Sequence, residues 1–112
     1  LGASGCSLDL SSLPLLDGAI ALLSSGIRSS LHDQNRAAVK IDASGLHDDA
    51  ATHFDAHVET LFDPQTSGGL LGVFSRDAAK SLVATLNKDV AAAAIIGKLD
   101  FTNAGIHLTE NM

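Results

Sequence analysis

Tryptophan and tyrosine are absent from this 112-residue chain, and aromatic side chains make up only 4% of it. Any core is therefore aliphatic, built from Leu, Ile, Val and Ala with a few Phe. A single cysteine, Cys6, rules out an intrachain disulfide and suits a reducing compartment. Basic residues are scarce: 7 Lys and Arg against 13 Asp and Glu leave a net charge of −6. That balance lacks the basic stripe of a nucleic-acid surface and argues equally against an anionic membrane surface. No apolar run approaches the ~20 residues of a membrane-spanning helix, and no signal peptide is visible. The expectation is a cytoplasmic protein with neither nucleic acid nor membrane as partner. The length suits one domain spanning residues 1–112. The abrupt start at Leu1 reads as a boundary inside a longer chain.

What the chain does have is an unusual stretch at 61–71, Leu-Phe-Asp-Pro-Gln-Thr-Ser-Gly-Gly-Leu-Leu. Asp63-Pro64 disfavours helix at Asp63 and fixes the backbone of Pro64. Gly68-Gly69 removes side-chain bulk where backbone must turn or be approached closely. Between them stand Gln65, Thr66 and Ser67. The apolar run 70–74 follows and predicts a buried strand. Exposed backbone N–H groups in such a turn can bind an anion without a charged side chain. It is not a P-loop, because the Gly-Lys-Ser/Thr ending is missing and the glycines precede a strand rather than a helix.

Periodicity supplies the remaining elements. Residues 6–10 alternate as a strand. Residues 15–25 read as a helix with Leu16, Ile20 and Leu23 on one stripe and Gly26 at its C′ position. Residues 27–35 form a polar loop. Residues 36–41 carry both signals: alanines favour helix, Val39 and Ile41 favour strand, and helix is preferred. Residues 48–61 predict a helix with Ala51, Phe54, Val58 and Leu61 inward. Ser75 is a good N-cap for a helix to about Asn87 that buries Ala78, Leu82, Val83 and Leu86. Strands are expected over 90–99 and 106–108. The closing strand–helix–strand has the size of a ferredoxin-like half.

Each candidate constellation has a plain structural alternative. Gln65, Thr66, Ser67, Gly68 and Gly69, with Asp63 beside them, read either as a turn or as a phosphate-binding surface. Ser29, Ser30, Gln34 and Asn35 read as a loop with local side-chain-to-backbone bonds. His53 and His57 share a helix face, with His47 and several aspartates nearby. No His-Glu-x-x-His pattern joins them, so a solvated acidic face is expected and no metal site. Cys6 has no lysine close behind it and reads as a small buried hydrophobe.

The run Asp-Pro-Gln-Thr-Ser-Gly-Gly-Leu-Leu at 63–71 resembles the signature near the C-terminus of selenophosphate synthetases. Gly26-Ile27-Arg28-Ser29-Ser30-Leu31 with Gln34-Asn35 is similar to a second family segment, and Gly2-Ala3-Ser4-Gly5 with Leu13-Pro14 and Gly18-Ala19 to a third. Ile96-Gly97-Lys98 fits the closing strand. The resemblance implies the C-terminal domain of the aminoimidazole-ribonucleotide-synthetase-like superfamily: an α/β layered fold with helices packed on a mixed sheet. It implies a parent enzyme that converts ATP, selenide and water into selenophosphate, AMP and phosphate with Mg²⁺, as a homodimer. It also implies that residues 63–69 line the nucleotide and phosphate cleft, with Ser29, Ser30 and Asn35 as a second wall. The N-terminal domain, with its reactive loop, lysine and metal-holding aspartates, would be the missing partner. The isolated chain is then expected to be inactive, with no bound cofactor. The alternative is a non-catalytic binding or assembly module.

Overall fold

The computed structural model describes residues 4–44, 46, 51–89 and 92–110, with side chains of 51–55 left aside. Four strands, β1 (Gly5–Asp9), β2 (Ile41–Asp42), β3 (Gly97–Asp100) and β4 (Gly105–Thr109), form one sheet in the order β2-β4-β1-β3. β1 runs antiparallel to β3 and parallel to β4, and β2 runs parallel to β4. The helices are α1 (Ala19–Ser24), α2 (His32–Ala38), α3 (Ala51–Thr60) and α4 (Arg76–Asp89). This mixed sheet with helices is the expected α/β class.

Local chemistry explains several boundaries. Asp9 ends β1 by accepting hydrogen bonds from the Ser11 N–H and both Ser11 and Ser12 hydroxyls, which folds 10–12 into a short 3-10 turn. α1 starts at Ala19, not at 15, because Gly18 enters the left-handed region at φ 85°. Leu16 therefore lies outside the helix and is 83% exposed, while Leu23 is buried as expected. α1 ends as its sequence predicts. Gly26 adopts φ 86°, its N–H donates to Leu23 O, and the Ile27 N–H reaches back to Leu22 O at 3.0 Å. That pairing is the Schellman arrangement.

The core lies where the end of α3 meets the sheet. Leu10, Val58, Phe62 and Leu108 are buried together, with Leu8, Leu13, Ile41, Leu61 and Ile106 packed around them. α1 packs on α3. Residues 36–41 resolve their mixed signals by using both: α2 begins earlier, at His32, and ends at Ala38, and β2 begins at Ile41.

Three expectations are corrected. Residues 70–74 form no strand; Leu70, Leu71, Val73 and Phe74 are all exposed. Apolarity favours burial but names no partner strand, and none of the four strands of the sheet pairs with this run. α4 forms on its Ser75 start, with Ala79 N–H donating to Ser75 O, yet none of its residues is buried. Leu82 and Leu86 are 37% and 40% exposed, so the expected inward stripe is covered only in part. The strand expected over 90–99 is confined to its end, since 92–96 are irregular and pairing proper begins at Gly97. Val90 and Ala91 lie outside the described residues.

These placements make a contrasting expectation. Leu70→Ser should change the unfolding free energy by no more than about 0.5 kcal/mol, as for other surface changes. A urea melt showing a loss of about 2 kcal/mol or more would put Leu70 in a core instead.

Candidate functional site

The 63–69 turn follows the buried Phe62, two residues beyond the end of α3, and stands in solvent. Asp63 and residues 65–69 are exposed, and Pro64 is half-buried. Neither glycine of the pair lies in the left-handed region; among the described glycines Gly18, Gly26 and Gly105 do so. A Cβ on Gly69 would meet nothing within 4 Å, and one on Gly68 would meet only the Gln65 side chain, nearest at 3.1 Å. The turn itself therefore does not require two glycines. Their effect is a bare, unobstructed stretch of backbone beside the Thr66 and Ser67 hydroxyls.

The second wall is only partly joined to this turn. Asn35 Nδ2 donates to the Phe62 carbonyl at 3.0 Å, which ties α2 to the residue just before Asp63. Asn35 and Asp63 both border an apolar cleft of about 380 Å³ whose walls include Val39, Ile41, Leu61 and Ile106. Ser29 is used locally, its hydroxyl accepting from the Leu31 N–H at 3.2 Å, as the plain loop reading expects. Ser30 is exposed.

Sequence reading missed a neighbouring cluster. His32 and Glu59 are buried and joined through His32 Nε2 and Glu59 Oε2. Arg36 Nε approaches Glu59 Oε1 at 3.2 Å, and Arg28 lies 3.9 Å from Oε2. The signal was present as His32, Asn35 and Arg36 at spacings i, i+3 and i+4, which share one helix face. Glu59 gave no such sign, since it follows the histidine and aspartate cluster read as solvated without belonging to it.

Of the histidine cluster, His47 and the side chain of His53 lie outside the described residues, and His57 is half-buried. Among the described residues, no group of three or more His, Cys, Asp or Glu is placed to hold a metal ion. Cys6 is half-buried in β1, opposite Leu99 and Ile106. A second, polar cavity holds Asp42, Asp100 and His107. There His107 Nδ1 faces Asp42 Oδ2 at 3.2 Å and Nε2 faces Ala104 O at 3.1 Å. Hydrogen bonds from Ser44 hold the Asp42 carboxyl below the usual carboxylate range, and bonds from Thr102 do the same for Asp100. Their stabilising share is present at neutral pH and is lost as pH falls through the lowered values.

Sequence comparison adds a decisive observation. A protein of Shewanella sp. (strain MR-4) named selenide, water dikinase is 40% identical over 93 residues, which is 83% of this chain and 24% of that protein. Its namesake in Citrifermentans bemidjiense is 32% identical over 93 residues, covering 83% and 25%. The chain is related to the selenide, water dikinases. The Bdellovibrio bacteriovorus dikinase agrees, at 33% identity over 94 residues. The chain spans about a quarter of the length of the curated dikinases it matches. No protein-family profile matches it, and no solved structure matches it significantly.

Proposed function

We propose that this chain is the C-terminal domain of a selenophosphate synthetase-like enzyme and that its 63–69 turn lines the nucleotide and phosphate cleft. The observation that carries the reading is the bare backbone at Gly68-Gly69, set beside two hydroxyls in a run that resembles the selenophosphate synthetase signature. Thr66 and Ser67 would donate to phosphate oxygens, and the glycine N–H groups would approach them without obstruction. Gln65 and Asp63 flank the same surface, and Asn35 anchors its base.

The parent reaction would take ATP, selenide and water to selenophosphate, AMP and phosphate, in a homodimeric cytoplasmic enzyme. Mg²⁺ would neutralise phosphate charge there. The described carboxylates of this chain do not converge as a Mg²⁺ site, so the role proposed for these residues is to bind and orient phosphate oxygens. The reading asks this chain for neither a nucleophile nor its base. The partner supplying both would be the N-terminal domain of the same enzyme.

Purified residues 1–112 should release neither AMP nor phosphate from ATP with Mg²⁺ and selenide, whereas the full-length enzyme should release both in a selenide-dependent way. Selenide-independent behaviour of the full-length protein would overturn the reading. It would favour instead an assembly module, the role that the exposed run Leu70, Leu71, Val73 and Phe74 would suit.

A further inference from the structure

α2 grips the end of α3 by three side chains from one face. His32, only 1% exposed, reaches the Glu59 carboxylate through Nε2. Arg36 binds the same carboxylate and lays its guanidinium over the Phe62 ring, 4.8 Å from the centroid. His32 meets that ring edge-on at 6.2 Å. Between them Asn35 holds the Phe62 carbonyl. The residue that follows is Asp63, where the turn begins.

We infer that His32, Asn35 and Arg36, acting on Glu59 and Phe62, are positioning residues that fix where the 63–69 turn leaves α3 and so aim Thr66 and Ser67. Only the aiming step rests on the proposed cleft.

Burial alone does not account for this arrangement. A carboxylate taken out of water costs desolvation energy, and apolar side chains of similar volume would stabilise the junction as well or better. What polar groups add is direction. Phe62 packed in an aliphatic core could slide or rotate, whereas a carbonyl held by an amide and a carboxylate held from two sides set one register. Glu59 uses both oxygens: Oε1 takes Arg36, while Oε2 takes His32 and the more distant Arg28. His32 Nδ1 is buried with no hydrogen-bond partner. Nε2 is thus the ring nitrogen whose N–H is donated to the carboxylate. The two guanidinium groups are partly exposed, with side chains 42% and 47% accessible, so they can balance the carboxylate without full desolvation.

The test compares Arg36→Gln, Glu59→Gln, His32→Leu and His32→Gln. Arg36→Gln is the variant least exposed to misfolding, because its side chain is half in solvent. Amide hydrogen exchange at Leu61, Phe62 and Asp63, and of the Asn35 side-chain amide, reports the junction; amides of β1 and β4 report the whole fold. Arg36→Gln, Glu59→Gln and His32→Leu should speed exchange at the junction by about tenfold or more relative to the sheet, the scale of one lost charged hydrogen bond. His32→Gln, which keeps a donor, should restore most of the protection. Equal acceleration of junction and sheet, or no local change, would overturn the inference and leave the cluster as core alone. In the full-length enzyme the same loosening should raise the KM for ATP several-fold, with kcat less affected. A loosened junction with an unchanged KM would support the clasp and overturn the cleft reading on which its purpose rests.

Discussion

Replacing Leu108 by alanine is expected to lower the unfolding free energy by about 2–5 kcal/mol, the range for emptying a leucine site in a packed core. Leu108 is 1% exposed and meets Leu10, Val58 and Phe62, the contact through which α3 is held on the sheet. It sits on β4, which is flanked by β1 and β2, so the surrounding backbone has little freedom to close the cavity. For a domain of this size total stability is about 5–15 kcal/mol, so such a loss is a large share of it. Urea unfolding should show a lower midpoint with an unchanged slope. A loss below about 0.5 kcal/mol would be a surface result and would contradict this core.

Gly5→Ala should be more severe. Gly5 pairs with Asp100 on β3 and with Gly105 on β4. A Cβ there would overlap the carbonyl oxygen of Asn103 and the backbone of Gly105. These are main-chain atoms of the β3–β4 connection and of the first residue of β4, so no rotamer change relieves the clash. One of the two pairings of β1 must shift. The expected result is loss of the cooperative melt at temperatures where the parent chain is folded. The neighbouring Cys6→Ala, at a half-buried position, is the control and should retain a cooperative transition. If Gly5→Ala melts within about 2 °C of the parent, less than the shift from 1 kcal/mol, the three-stranded centre of the sheet is wrong.

How far the chain could be read in advance depended on how local each signal was. The end of α1 was legible because a Schellman turn needs only Gly26 and its neighbours. β1 was legible from alternation, β4 as a short run after a turn, and the start of α4 from Ser75. The 70–74 run misled because hydrophobicity measures a tendency, while strand formation needs a partner at the right edge. The same limit applied to the inward stripe of α4: its helix is local, its burial is not. Residues 36–41 were ambiguous for a sound reason, since a helix end and a strand start share six positions. At the candidate site, 63–69 was visible through its composition, and the structure ties Asn35 to its base. The His32–Glu59 contact was invisible because it joins positions 27 residues apart, with no periodic signature between them.

Thr66→Val in the proposed full-length enzyme tests the central claim most directly, because it keeps the β-branched shape and deletes only the hydroxyl. Thr66 is exposed, so the melting temperature should stay nearly unchanged. A hydroxyl bonded to a charged phosphate oxygen should cost about 1.5–3 kcal/mol when lost, roughly 10- to 150-fold in affinity for ATP. The account predicts weakened ATP binding or turnover with thermal stability preserved. Unchanged ATP kinetics with a clearly lowered melting temperature would make Thr66 structural and contradict the assignment of 63–69 to the cleft.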